Sequence, residues 1–267
     1  MRIALYVEYV EEETRPLLDI VVNALHRHGV ETVEFVNQMP DYNFDFVFSF
    51  GGDGTLLSSV HHIVDSAIPV VGINFGHLGF LTTVGKEDLE GFINDLIAGH
   101  FTIEERSLLH IRVDDIQTFA LNEVYVHRAE NVPLLKTDVY VNDEYVSTYS
   151  GDGLIVATPT RSTAYSLSCG GPILTPNSGC FVITPVAAHS LTLRPFIVPD
   201  SAKLRLVTDI RHSTLYLGTD SRSQILRGGT EIFLERESFT IRLVRMRGQN
   251  FFSAIHDKLS WGTDIRR

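Results

Sequence analysis

The chain has 267 residues, 44% of them hydrophobic, with 22 Lys+Arg against 33 Asp+Glu and a formal charge of −11. That supplies enough apolar material for one large domain or two smaller ones. An acidic balance without a long basic run argues against nucleic acid or an anionic membrane as partner, because cationic surface supplies most of that attraction.

The N-terminal run reads as a strand over residues 3–9. It is short and soon acidic for a signal peptide. No apolar run approaches the ~20 residues of a spanning helix, so a soluble cytoplasmic protein is expected. Residues 16–28 carry Leu17, Ile20, Val21, Ala24 and Leu25 at helical spacing, with Gly29 as the C-cap. Strands follow over 31–36 and 44–50, the latter with Phe44, Phe46, Phe48 and Phe50 on one face. A helix over about 55–66, a buried strand over 68–73 and an amphipathic helix over 86–98 complete an alternation that predicts an open, parallel α/β sheet.

The pattern changes near Thr102. Strands are predicted at 108–113, 119–128, 137–141, 144–150, 154–158, 181–185, 204–207, 214–218, 231–235 and 240–245. Asn142-Asp143 marks one of the turns, and one helix over about 162–169 interrupts the run. This predicts a mainly-β second domain over 105–247. The first domain then spans 1–104, with 248–267 packing back on it through a helix over 250–259. Cys169 and Cys180 read as ordinary thiols of a reducing cytosol.

The sharpest motif is Gly51-Gly52-Asp53-Gly54-Thr55, between a strand and a helix. Ligands of open α/β sheets bind beyond the carboxyl ends of strands. A helix N-terminus offers free N–H groups to phosphate, and glycines remove the Cβ that would block approach. An aspartate there repels phosphate. It makes sense as a Mg²⁺ ligand or as a base for an attacking hydroxyl. A plain Asp-Gly turn with Asp53 as N-cap is the blander alternative. No strand leads into G-x-G-x-x-G. The stretch from Gly79 to Gly85-Lys86-Glu87 misses a Walker A loop in spacing and in its last residue.

Three further segments stand out. Asn74-Phe75-Gly76-His77-Leu78-Gly79-Phe80-Leu81 follows the 68–73 strand; it suits a turn around a ligand or a structural turn equally. Asn122-Glu123 joins an amide to a carboxylate, groups that can read an adenine edge and ribose hydroxyls. Gly151-Asp152-Gly153 precedes a hydroxyl-rich run from Thr158 to Pro172, where Ser162 is placed to cap a short helix. His61-His62 face different ways on a helix and read as packing or surface residues, and no histidine set suggests a metal.

Together these segments resemble the NAD kinase family: the Gly51–Thr55 loop, Asn122-Glu123, the Ser162–Pro172 segment, Gly76 to Leu81 and the closing Leu259-Ser260-Trp261 stand in the family's order. The first loop alone is shared with diacylglycerol-type lipid kinases and phosphofructokinases. The resemblance implies a Rossmann-like first domain and a β-sandwich-like second domain, with NAD in the cleft between them. It implies Asp53 as general base, Gly51, Gly52, Gly54 and Thr55 as the phosphate loop, and Asp53 and Gly54 beside the ribose. Asn122 and Glu123 would bind adenosine, and Thr163, Ala164, Tyr165, Ser166, Leu167 and Ser168 would line the adenine pocket. Asp152 would reach the nicotinamide side from a neighbouring subunit of a homodimer or homotetramer, and Ala187 would touch the ligand through its backbone. The donor would be ATP, another nucleotide or polyphosphate, with Mg²⁺ or Mn²⁺; no metal ligand is assigned.

Three departures bear on donor choice and nicotinamide contacts. Arg161 stands where many members have Gly, Ser150 where a basic residue is frequent, and Arg222 where Gln is common. Two rivals share parts of the pattern. A lipid or sugar kinase would phosphorylate those substrates and not NAD. A non-catalytic NAD(P) sensor would bind dinucleotide without making NADP.

Overall fold

The computed structural model describes residues 1–8, 15–76, 79–129, 134–208, 214–220 and 222–262. Two compact units emerge: the first holds Met1–Glu105 and Ile241–Arg267, the second Arg106–Thr240. The expected strand residue Tyr9 and the loop residues His77 and Leu78 lie outside the described residues.

The first unit opens with β1 (Arg2–Tyr6), α1 (Arg15–Arg27), β2 (Glu31–Phe35), β3 (Phe46–Phe50), α2 (Asp53–Ile63), β4 (Val70–Ile73) and α3 (Leu89–Ala98). The strands pair in parallel, in the order β2-β1-β3-β4. All five residues of β3 are buried, as expected of a central strand covered on both faces. Its three phenylalanines join one core with Leu18, Val21 and Leu25 of α1 and Phe92 and Leu96 of α3. Gly29 and Gly99 close α1 and α3 with φ of 72° and 76°, conformations that favour glycine. Residues 86–88, expected in the last helix, form a 3₁₀ turn ahead of it.

The second unit contains most of β5 (Phe101–Val113), then β6 (Ile116–Ala120), β7 (Glu123–Arg128), β8 (Leu135–Val141), β9 (Glu144–Gly151), β10 (Gly153–Ala157), α4 (Tyr165–Ser168), β11 (Cys180–Val186), β12 (Phe196–Pro199), β13 (Leu204–Thr208), β14 (Thr214–Thr219), β15 (Arg222–Arg227) and most of β16 (Glu231–Met246). One antiparallel sheet runs β12-β11-β10-β7-β14-β15. In the other, β13 pairs antiparallel with β16 and β8, and β8 with β9. Leu154, Val156, Phe181 and Leu217 of the first sheet share a core with Val139, Leu206 and Leu234 of the second. That is sheet-on-sheet packing. The chain then returns to the first unit, where Leu243 of β16 pairs in parallel with Val70 of β4 and α5 (Phe251–Leu259) follows. Asn250 caps α5 with a reciprocal Asn250–Ser253 capping box.

Several expected boundaries are corrected. The strand expected over 119–128 is two strands, broken at Leu121-Asn122. The helix expected over 162–169 is a 3₁₀ turn (Pro159–Arg161) followed by the single turn of α4. Strands expected at 231–235 and 240–245 form one, β16. β12 and β15 were not expected: the first is a four-residue edge piece after Pro195, and the second is polar and mostly exposed.

Candidate functional site

The candidate residues form two groups, one in each unit. In the first unit, β3 ends at Phe50 and the chain enters α2 through Gly51 and Gly52. Gly51 has φ of 148°, and a Cβ there would overlap the Thr55 side chain, which folds back over it. Gly52 is the N-cap of α2 and supplies no side-chain cap. Gly54 faces nothing within 4 Å. No contact within the described chain requires glycine at 54, and the helix end keeps N–H groups available to an anion.

Asp53 occupies the first turn of α2, and its carboxylate is embraced by the next loop. Oδ2 accepts from the Phe80 N–H at 2.9 Å. Oδ1 accepts from the N–H groups of Leu81 and Thr82, both at 3.1 Å, and from Thr82 Oγ1 at 3.3 Å. The loop comes this close because two glycines allow it. A Cβ on Gly79 would overlap the Asp53 carboxylate, and one on Gly72 of β4 would press on Leu56 of α2 and on Thr82. Arg245 holds the same loop from outside, donating to the Phe80 carbonyl at 3.3 Å while paired with Glu104 at 2.9 Å. Asp53 is therefore a fixed carboxylate at a helix N-terminus, with its rotamer set by four donors.

In the second unit, the Leu121-Asn122 break sets the geometry. Asn122 and Glu123 are buried, and neither Asn122 Oδ1 nor Glu123 Oε2 has a hydrogen-bond partner among the described residues. Burial, and next the neighbouring Asp220, push the Glu123 carboxyl up to about 7, while Arg161 pulls it back. Arg161, the departure from the family pattern, thus acts on the candidate pair itself. Thr163 is also buried, and its Oγ1 likewise lacks a partner among the described residues. Buried polar atoms are nearly always satisfied. Three such orphans fall on residues that the sequence had already singled out.

The rest of the 163–168 run divides. Tyr165 packs edge-on against Tyr125, ring centroids 5.8 Å apart. Burial raises its hydroxyl pKa, with smaller contributions from Cys169, Tyr125, Asp152 and Glu123. Tyr125, His127, Tyr165, Tyr216 and Ser223 line a cavity of about 350 Å³. A Cβ at Gly218 would overlap the Tyr125 ring that covers it. Ala164 and Leu167 are half-buried and Ser168 is exposed. Ser166, by contrast, spends its hydroxyl on Thr184 Oγ1 at 2.9 Å. Ser162 does not cap a helix: its buried hydroxyl accepts from Leu174 N–H at 2.9 Å and so ties the loop down.

Asp152 sits between two glycines wedged against β11 and β7, where a Cβ on Gly151 or Gly153 would strike the Val186 or Val126 carbonyl. Its carboxylate pairs with Arg128 at 2.6 Å. Ala187, in a left-handed conformation (φ 46°), lies beside this corner. Of the other departures, Ser150 accepts from His189 N–H through its carbonyl and Arg222 is exposed at the start of β15. His62 packs against the rings of Tyr6 and Phe35, a packing role as expected.

Two residues escaped the sequence reading. Thr82 contributes a hydroxyl to Asp53, and Asp220 accepts from the N–H groups of Leu121 and Asn122. Their only sequence signals were a Thr after the 76–81 loop and an Asp at a hairpin turn. Among the described residues no group of three or more His, Cys, Asp or Glu side chains could hold a metal ion.

Comparison with known proteins places these groups in context. The profile of the ATP-NAD kinase N-terminal domain matches residues 6–101, and that of the ATP-NAD kinase C-terminal domain matches 121–236. An NAD kinase of Porphyromonas gingivalis is 42% identical over 233 residues, covering 86% of this chain and 81% of its own. One of Flavobacterium johnsoniae is 34% identical over the full length of both chains. Among solved structures, a yeast NADH kinase complexed with NADH superposes with a TM-score of 0.89 at 25% identity, covering 100% of this chain and 89% of its own. An Archaeoglobus fulgidus NAD kinase in complex with ATP gives 0.79 at 27% identity, covering 97% and 99%.

Proposed function

The chain belongs to the NAD kinase family, and from that premise we infer that it transfers a phosphoryl group from ATP to the adenosine-ribose 2′-hydroxyl of NAD, giving NADP. The observation that carries this reading is the trio of buried acceptor atoms on Asn122, Glu123 and Thr163 without partners among the described residues. A dinucleotide brings the amino group and hydroxyls that would satisfy them.

Phosphoryl transfer asks the protein for alignment, charge neutralisation and a proton acceptor. We assign the proton of the attacking hydroxyl to the Asp53 carboxylate. The backbone N–H groups at the start of α2, reached past Gly52 and Gly54, would hold donor phosphates. Asn122, Glu123 and Thr163 would hold the adenosine portion, with Ala164, Tyr165 and Leu167 as the surrounding wall. Ser166 supports that wall from behind through Thr184. Asp152 and the Ala187 backbone would serve the nicotinamide side. A divalent cation, Mg²⁺ or Mn²⁺, belongs in this reading to the phosphates of the donor rather than to a protein cage. Dimeric or tetrameric assembly and a cytoplasmic location complete it. Among the described residues no helix is long and apolar enough to cross a membrane.

The decisive test incubates purified protein with NAD, Mg²⁺ and ATP, and detects product with a dehydrogenase specific for NADP. NADP should accumulate with time and enzyme. NAD binding in calorimetry without NADP formation would make the chain a sensor, and phosphorylation of a lipid or hexose alone would make it a different kinase.

A further inference from the structure

The Leu121-Asn122 break is held by one side chain from nearly a hundred residues away. Asp220, in the turn joining β14 to β15, turns its carboxylate onto three successive backbone N–H groups. Oδ2 accepts from Leu121 at 2.9 Å; Oδ1 accepts from Asn122 at 2.8 Å and Glu123 at 3.4 Å. Its own N–H donates to the Glu123 carbonyl at 3.1 Å, closing the loop reciprocally. Asp220 has φ of 50°, a left-handed conformation that Asp tolerates and a turn uses.

A turn alone would not need this residue. Asn or Gly takes the same conformation without setting an acid beside the buried Glu123. Burial raises the Asp220 pKa, although the three N–H groups and Arg161 each pull it down. The arrangement persists against that penalty. What it provides is two acceptor oxygens for a run of backbone donors left behind by the break, donors that Asn, with one acceptor oxygen, could not satisfy.

We propose that Asp220 is the positioning residue for the adenosine-binding pair: it fixes the Leu121–Glu123 backbone so that Asn122 Oδ1 and Glu123 Oε2 remain unspent for NAD. This rests on the reading of Asn122 and Glu123 as NAD-binding residues. Asp220 itself touches no substrate. Its effect falls on NAD recognition, not on the donor and not on the phosphoryl-transfer step.

The test is Asp220→Asn, assayed beside the full-length wild type. The KM for NAD should rise about tenfold, the effect of breaking one or two hydrogen bonds of modest net worth. The kcat should stay within about twofold and the KM for ATP should not move. Added to Asn122→Ala, the substitution should raise the KM for NAD by less than it does alone, because part of its effect runs through the Asn122 contact already removed. A further readout separates positioning from general loosening. The charged and titratable groups around Glu123 are Asp220, Arg161 and Tyr165. Removing the Asp220 charge should shift the pH at which the KM for NAD changes toward lower values. If the variant does not fold, amide hydrogen exchange on the wild type still decides: the Leu121 and Asn122 N–H groups should be protected in the ligand-free protein. Free exchange there, a KM for NAD within twofold of wild type, parallel rises for NAD and ATP, or full additivity with Asn122→Ala would each overturn the proposal. Failure of the wild type to phosphorylate NAD would instead remove the parent reading and this inference with it.

Discussion

In the first unit the carboxylate of Asp53 accepts four hydrogen bonds from residues 80–82. In the second unit Asn122 Oδ1, Glu123 Oε2 and Thr163 Oγ1 are buried and accept none from the described residues. The first holds its carboxylate with its own backbone, while the second leaves these three acceptors open. On the reading proposed above, the difference follows from what each would do. A group that takes a proton needs a fixed direction, and backbone donors on a glycine-pared loop supply it without a side chain in the way. A group that recognises a substrate must still have capacity when the substrate arrives. Each orphaned polar atom costs the free protein about 1–3 kcal/mol, which bound ligand would recover.

The comparison breaks most sharply at Asp53. Asp53→Asn should lower kcat by about 10²–10⁴-fold, the usual contribution of a general base, while calorimetry still detects NAD binding. Turnover near wild type in a folded variant would show that the placed carboxylate is not the base. Gly79→Ala tests the placement itself. Its methyl would overlap the carboxylate, and a displacement of about 1 Å can lower kcat about 10²-fold. Gly54→Ala, in the first turn of α2 beside Asp53, is the control. Nothing lies within 4 Å of that position, so its unfolding midpoint should hold and any effect should fall on substrate KM.

How much of this was legible in the sequence divides along the same line. The glycine loop at a strand-to-helix junction was plain, because Gly51, Gly52 and Asp53 are neighbours and their pattern is local. The β8–β9 hairpin was plain for the same reason: Asn142 and Asp143 both take positive φ, as such a dipeptide invites. The donors to Asp53 were not legible, since backbone N–H groups carry no residue-type signature. The Leu121-Asn122 break was hidden inside an apolar run that reads as one strand, and the residue that holds it open, Asp220, is distant in sequence. Ser162 looked like a cap because Ser before a short helix usually is one; its partner Leu174 lies across a loop that only the fold closes.

Glu123 offers a smaller effect with a definite sign. Its carboxyl titrates at about 7 in the folded protein against an ordinary value of 4.5. The folded state therefore holds a proton that the unfolded chain releases as pH rises through that window, and stability falls between about 4.5 and 7. The accumulated loss is on the order of 3 kcal/mol. Glu123→Gln should match wild type in thermal unfolding below about pH 4.5, exceed it increasingly up to about pH 7 and keep a constant lead above that, while binding NAD less well. Asp220, raised in the same direction, should leave the variant a residual slope. Identical pH profiles for the two proteins would show that Glu123 is ionised and satisfied in the free protein.

The smallest effect separates two hydroxyls three residues apart. Thr163 Oγ1 has no partner among the described residues, whereas Ser166 Oγ meets Thr184 Oγ1 at 2.9 Å. Thr163→Val removes an orphan, so the free protein should gain about 1 kcal/mol, and NAD should bind about tenfold more weakly. Ser166→Ala strands Thr184, so the free protein should lose about 1 kcal/mol, with NAD affinity changed far less. Unfolding midpoints and NAD titrations on both variants measure the two quantities separately. Opposite signs in stability, with affinity lost at Thr163, would place the substrate's hydrogen bond on that hydroxyl. Stability falling in both, with affinity intact, would mean that Thr163 is as structural as its neighbour and that the open acceptors of the second unit reduce to Asn122 and Glu123.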